Sequence, residues 1–305
     1  MFEKIFFLDC MKPNVHNTIK LLLKEKLLAL EEFLEADVFS YNGQIVDGLE
    51  NSIMELMEDL AKQVKKRDRL CVILTTPGGS AIAVERYVNI IRRHYRNVDF
   101  IIPSYAYSAG TIFCMSGDNI FMDYFSVLGP IDPQVQNKEG KWVAALGYLD
   151  KVNEAIEKSS RGALTDAEYL MIKDLDLAEL RSYEQAKDLT IDLLKKWLVK
   201  YKFKNWDVHS TSQKWMGQAV TLEQKELRAE EIAKELSNNS KWKSHGRPIN
   251  MEALLELRLK IEDFSVDVKL RNLIRDYYDL LTDYIQSNNF HIFVQTRNHC
   301  NRYEN

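Results

Sequence analysis

Glycine and proline are scarce in this chain of 305 residues, at 12 and 6 respectively. So little turn-forming material leaves room for few long irregular loops, and the chain reads as helix-rich. Cysteine is scarcer still. Cys10, Cys71, Cys114 and Cys300 are far apart and show no CxxC spacing, which argues against a zinc site and against a disulfide framework. Cys71 and Cys114 fall in apolar runs and read as buried free thiols. Neither sign of charge dominates: 41 basic and 45 acidic residues give a net charge of −4. With no basic tail or stripe, nucleic-acid binding has no electrostatic footprint. No uncharged apolar window reaches the roughly 18 residues of a membrane span, so no integral membrane segment is expected. The opening MFEKIFFLDCMK is interrupted by Glu3, Lys4 and Asp9 and lacks a small-residue cleavage site, so it is a poor signal peptide. A cytoplasmic location is the expectation these absences leave.

The remaining composition, 46% hydrophobic and 28% charged, is that of an ordinary globular protein with enough chain for a substantial core. Residues 15–35 place leucines at helical spacing, with charges on the other face. Asp37–Tyr41 reads as a short extended piece and Ile45–Val64 as a helix. Leu70–Thr75 (LCVILT) is a continuous apolar run with β-branched members, as suits a strand buried on both faces. Ala81–His94 (helix), Val98–Pro103 (strand), Ser108–Ser116 (short helix) and Asn119–Met122 (strand) continue the alternation. Strand and helix in turn, with tight connections, is the pattern of right-handed βαβ units, so this half is α/β. After about residue 140 the texture becomes long and helical, broken at Lys241–Asn250 and resumed over 251–287. Three segments are expected: an amphipathic N-terminal helix within 1–34, a catalytic core over 35–160, and helical continuation over 161–305.

Chemistry is expected at two turns, each following a predicted strand and opening a predicted helix. The first is Thr76-Pro77-Gly78-Gly79-Ser80. Paired glycines let backbone N–H groups approach a ligand, and such donors can hold an oxyanion. The second, Tyr105 to Thr111 (YAYSAGT), puts Ser108 between small residues at a helix start. Singly, these signals are weak: Pro-Gly-Gly is usually just a turn, and a serine opening a helix is usually an N-cap, which is how Ser80 reads. Together they lie at the carboxyl ends of adjacent strands, where open α/β sheets place their sites.

PGGS, a helix, a strand and then YSAGT resemble the Clp-like serine peptidases. Within that group the chain looks most like the serine dehydrogenase proteinase family, with signal peptide peptidase A and the NfeD-type proteases as relatives. The stretch Leu128-Gly129-Pro130-Ile131-Asp132-Pro133-Gln134 strengthens the likeness, and Ser244-His245-Gly246-Arg247-Pro248-Ile249 extends it more loosely. The resemblance implies a Clp/crotonase-like ββα-superhelix core, with Ser108 as nucleophile. It also implies an oxyanion hole from the N–H groups of Gly79 and Ala109, with Gly78 as a further candidate. Polypeptide is the implied substrate, no cofactor or metal is required, and relatives of this fold suggest a homo-oligomer.

A serine hydroxyl also needs a base. Clp proteases carry a histidine a few dozen residues after the nucleophile, but Leu128–Val135 contains none. Asp132 is the nearest titratable residue and reads more simply as a loop or capping residue. The signal-peptide-peptidase and NfeD branches use lysine, and Lys151 has the matching position, with Lys158 and Lys173 as further candidates. Such a lysine works only if desolvation lowers its pKa. Leu149, Val152 and Ile156 could supply an apolar wall for Lys151, whereas Asp150 would oppose it. His245 is the other candidate base, though a structural or substrate-binding role suits it better. Tyr107 reads as packing or groove lining. Two competing readings stand beside a Ser–Lys peptidase. One is a catalytically silent scaffold; the other is a crotonase-like acyl-CoA enzyme on the same fold, for which no adenine-binding pattern is present.

Overall fold

The structure is a computed structural model that describes residues 15–136, 140, 142–173 and 175–303. Cys10 and the MFEKIFFLDCMK segment lie outside the described residues. The chain forms strands β1 (Asp37–Gly43), β2 (Arg69–Thr75), β3 (Asn97–Ile101), β4 (Tyr105–Ala106), β5 (Asn119–Met122) and β6 (Val127–Leu128). These are followed by β7 (Gln134–Gln136), β8 (Trp142–Ala144), β9 (Ile249–Asn250), β10 (Glu262–Asp263), β11 (Ile292–Gln295) and β12 (Cys300–Tyr303). The helices are α1 (Val15–Leu34), α2 (Glu50–Lys62), α3 (Ala81–His94), α4 (Ala109–Cys114), α5 (Ala145–Ser160) and α6 (Asp166–Ile172). Next come α7 (Leu177–Trp197, run on by a π-turn over Leu198–Lys202), α8 (Leu222–Ser237), α9 (Asn239–Trp242), α10 (Met251–Glu256) and α11 (Val268–Asn288).

The main sheet has the order β10-β5-β3-β2-β1-β11-β12. Its β1, β2, β3, β5 and β10 run parallel, while β11 is antiparallel to β1 and β12 to β11. Alternate side chains feed two cores, as period-two geometry requires. Phe39, Tyr41, Leu70, Val72, Leu74 and Phe100 pack toward α2, α3, α4, α7 and α8. Val38, Cys71, Ile73 and Ile101 pack on the opposite face, toward α1 and α11. Burial on both faces is why these strands read as continuous apolar runs. Cys71 and Cys114 are buried free thiols.

Elements beyond residue 161 are not only helical: β9, β10, β11 and β12 all join sheets begun by residues 37–128. Four strand residues, Ile292–Gln295, cover the edge of β1 and bury Phe293 and Val294. Gly162, at φ +65°, takes the left-handed position just past the Arg161 cap of α5. His94 closes α3, but burial, only partly opposed by Glu58, draws its pKa below the ordinary value. It is therefore not a dependable cation for the helix dipole, and Arg92 and Arg93 in the same turn serve that end. Among the described residues no helix is long and apolar enough to cross a membrane.

A smaller sheet positions the site. Its order is β4-β6-β9, with β4 and β6 parallel and β9 antiparallel to β6. In register, Ala106 faces Leu128 and Leu128 faces Ile249, and all three are buried. The carboxyl ends of β4 and β6 and the amino end of β9 therefore open at one side of the molecule.

Candidate active site

The two turns expected to carry the chemistry touch. Thr76 donates its N–H to the Tyr105 carbonyl at 3.1 Å, and Tyr107 donates to the Thr76 carbonyl at 3.0 Å. This bridge ties the end of β2 to β4 and brings Gly78 against Ser108. A Cβ at Gly78 would lie 2.7 Å from Ser108 Cβ, 2.9 Å from the Tyr107 carbonyl oxygen and 3.4 Å from Ala109 N. Only glycine fits there, and its φ of +108° adds a second reason.

Gly79 is held from the other side. Ile45 donates its N–H to the Gly78 carbonyl at 2.8 Å, and Ser80 donates to the Ile45 carbonyl at 2.9 Å. A Cβ at Gly79 would meet the Ile45 oxygen at 1.9 Å. These rungs leave the Gly79 N–H without an acceptor among the described residues, and the N–H of Ala109 is likewise without one. Gly78 differs, because its N–H donates to Thr76 Oγ1 at 3.1 Å. Ser80 caps α3, accepting the Ala83 N–H at 3.1 Å, as a serine before a helix should.

Ser108 adopts φ 52° and ψ −117°, a conformation that costs a non-glycine residue about 1–3 kcal/mol. The turn holds it there by two backbone bonds: Gly110 donates to the Tyr107 carbonyl at 2.8 Å and Ile112 to the Ser108 carbonyl at 3.2 Å. The serine is partly exposed, and its hydroxyl has no hydrogen-bond partner among the described residues. A strained strand-to-helix turn that presents an unengaged hydroxyl has the form of a nucleophile elbow.

The LGPID segment is fixed to this turn by Thr111 and Gly129. Thr111 Oγ1 accepts the Gly129 N–H at 3.0 Å and lies 2.9 Å from the carbonyl oxygens of Ala106 and Gly129. A side chain at Gly129 would strike the Tyr107 ring, 2.3 Å from its Cδ1. Tyr107 stacks on Tyr105 with ring centroids 5.4 Å apart. Its ring is therefore committed to packing on Gly129 and Tyr105.

Asp132 lies in the irregular stretch after β6, as a loop residue, but it is buried. It is 1% exposed, and both of its carboxylate oxygens are engaged. His245 Nδ1–H donates to Oδ1 at 2.8 Å, and the Gln134 amide donates to Oδ2 at 2.8 Å. The carboxylate only accepts, so the proton in this contact sits on Nδ1. The His245 side chain is 26% exposed.

Lys151 has a different setting from the one a lysine base requires. Its ammonium pairs with Glu154 at 2.7 Å, its side chain is 76% exposed, and no hydrogen bond joins it to Ser108. Lys158 binds both Glu154 and Glu168, and these bonds raise its pKa, which keeps it charged. Lys173 caps the exposed end of α6. Desolvation does act on a lysine elsewhere. Lys202, in the π-turn after α7, has its amine enclosed without a partner, and burial lowers its pKa to about 8. Its charged and polar neighbours are Lys260, Asp99, Glu262 and Cys114. Cys114 ends α4, the helix that Ser108 opens. Sequence reading singled out neither Lys202 nor the supporting Thr76, Thr111 and Gln134. The one available signal was that Thr76, Thr111 and Gln134 fall inside the three quoted motifs.

The family described as ClpP-like SDH-type serine proteinase matches residues 55–228, over half of the chain. The uncharacterized protein MJ1495 of Methanocaldococcus jannaschii is 28% identical over 215 residues, which are 70% of this chain and 56% of that protein. MJ0137 of the same organism is 27% identical over 209 residues, 68% of this chain and 57% of that one. The chain thus spans a little over half the length of these relatives. Among solved structures, two mutants of the 1510-N membrane-bound stomatin-specific protease are similar, one of them in complex with a substrate peptide. The first is 22% identical, covering 47% of this chain and 73% of its own, and the peptide complex is 23% identical, covering 52% and 77%. Both have a TM-score of 0.31. The family match runs from α2 through the glycine turn, the Ser108 turn and the LGPID segment into α8, and the chain belongs to the ClpP-like SDH-type serine proteinases.

Proposed function

We propose that this protein is a serine peptidase in which Ser108 attacks the peptide carbonyl and the N–H groups of Gly79 and Ala109 hold the resulting oxyanion. The observation that carries this reading is the contact between the two turns: a strained serine with an unengaged hydroxyl lies against a glycine pair, and each turn offers one unpaired N–H. One donor from the residue after the nucleophile and one from a separate loop is the division an oxyanion hole needs. Gly78 serves by its lack of a side chain, since its own N–H is engaged by Thr76. Family membership supports a polypeptide substrate and the peptidase class over the crotonase-like and silent-scaffold readings. Polar groups aimed at developing charge contribute about 10²–10³ in turnover per donor.

Lys151, the base implied by resemblance, does not meet the condition such a base must satisfy, because it is solvated and paired with a carboxylate. A fluorophosphonate probe tests the core of the reading. Wild-type protein is expected to be labelled at Ser108, and Ser108→Ala to abolish labelling. A folded wild-type chain that stays unlabelled across about pH 6–10 would establish the silent scaffold instead. Coenzyme A binding without labelling would establish the crotonase-like chemistry.

A further inference from the structure

We infer that the chain holds a second site, remote from Ser108, for a small ligand that carries a phosphate group. The site is the cavity of about 320 Å³ between the amino-terminal half of α1 and the tip of the β11–β12 hairpin.

Its place in the sheet separates it from the candidate active site. β11 runs antiparallel to β1 with Gln295 opposite Ser40, so the turn after Gln295 lies toward the amino end of β1. Arg297 in that turn reaches Asp37, the first residue of β1. The glycine turn instead follows the carboxyl end of β2, and β2 is parallel to β1. The two sites therefore open at opposite ends of the main sheet.

The cavity is lined by cations and no described carboxylate. Lys20 and Lys24, one helical turn apart on α1, stand on one wall, and Arg297 and His299 stand on the other. Neither lysine makes an ion pair or a side-chain hydrogen bond among the described residues. The nearest acids are engaged from behind the hairpin. Glu31 and Asp37 take the terminal nitrogens of Arg297. Asp59 of α2 accepts from Asn298 Nδ2 at 2.9 Å and lies 3.4 Å from His299 Nε2.

The hairpin wall also has donors left over. Thr296 lines the cavity at 1% exposure, and its hydroxyl has no partner among the described residues. Arg297 Nε is enclosed without a partner as well. The turn closes by a single bond, from the Thr296 N–H to the His299 carbonyl at 2.9 Å, and the N–H groups of Arg297, Asn298 and His299 find no acceptor among the described residues. Buried polar groups are nearly always satisfied, and leaving one unpaired is costly. Ammonium groups from the helix and hydroxyl and N–H donors from the hairpin converge from several directions. That suits a tetrahedral phosphate better than a planar carboxylate. The volume admits more than the phosphate alone, and Leu21 on the helix wall offers the rest of the ligand an apolar surface. A reading in which the lysines are merely solvated leaves the Thr296 hydroxyl unpaired.

A soluble organic phosphate and a phospholipid headgroup present the same chemistry, and the test separates them. Calorimetric titration of the full chain with pyrophosphate and with adenosine monophosphate reads the soluble source. Flotation with phosphatidylglycerol vesicles, against phosphatidylcholine vesicles, reads the headgroup. Binding to at least one source is expected, weakening as salt rises. Lys20→Ala combined with Lys24→Ala is expected to weaken it about tenfold or more, the usual loss with a charge-assisted hydrogen bond, while the ligand-free melting temperature stays close to wild type. Thr296→Val deletes an unpaired buried hydroxyl, so it is expected to raise the ligand-free melting temperature and yet to weaken binding. A wild-type chain that binds none of these probes would overturn the site. So would binding that survives intact in the double lysine variant or in Thr296→Val.

Discussion

At Lys202 the π-turn that continues α7 points an amine inward, and no described group meets it. Its stem reaches the surface; its nitrogen does not. Burial holds its pKa at about 8, against 10.5 for an ordinary lysine. Between these values the unfolded chain binds the proton and the folded chain does not. Stability therefore rises with pH across that window and falls as pH drops toward 8. Lys202→Met removes the effect. Its stabilising advantage over wild type is expected to be largest below pH 8 and to shrink by roughly 3 kcal/mol on approaching pH 10.5. Urea melts of both proteins at several alkaline pH values would show it, and a constant difference would mean that the amine is solvated. The case also shows what residue-level reading can reach. The glycine turn that meets the Ser108 turn was legible because a close backbone approach needs particular residue types. The environments of Lys202, Lys151 and Asp132 were not. Whether a charged side chain is buried or paired is decided by which distant segments arrive beside it, and His245 arrives at Asp132 from far along the chain.

Elements were legible in proportion to their length and burial. The runs predicted at 70–75, 98–103 and 119–122 became β2, β3 and β5, since buried strands are mostly apolar, with Asp99 of β3 the buried exception that Arg69 pairs. The two-residue strands β4, β6 and β9 are too short for any periodicity, yet they assemble the site. β11 and β12 were missed because Ile292–Gln295 is short and lies among polar residues. In place of length, the small sheet uses specific clamps, of which Thr111 is the clearest. Thr111→Val keeps the shape but leaves the Gly129 N–H unpaired in a buried setting, which costs about 1–3 kcal/mol. A loss of that size in unfolding free energy, read from a lowered urea midpoint, is expected. Slower fluorophosphonate labelling should accompany it, because the loop carrying Asp132 loses its tie to the nucleophile helix. Loss of stability with labelling unchanged would show that the clamp does not position the loop.

Across the whole molecule, the two candidate turns follow buried strands, whereas the segment from α5 to α7 leaves an unusual share of apolar side chains in water. Ile156, Tyr169, Leu170, Met171 and Leu177 all fall between residues 156 and 177, and Met171 and Leu177 are each 80% exposed. Scattered exposed apolar residues are normal, but this many large ones in one short stretch are a reason to expect that another surface covers them. A homo-oligomer of the kind the resemblance implies would supply that surface from a second copy of the chain, and a two-fold contact would use the same patch on both partners. Light scattering behind size exclusion is therefore expected to give a mass that is a multiple of 35.6 kDa. The double variant Met171→Glu with Leu177→Glu puts like charges across any such contact while touching neither core. It should shift the protein to a smaller species without lowering its melting temperature by more than a few degrees. A wild-type chain that remains monomeric at high concentration would contradict the assembly. A variant that keeps the wild-type mass would move the contact away from α5–α7.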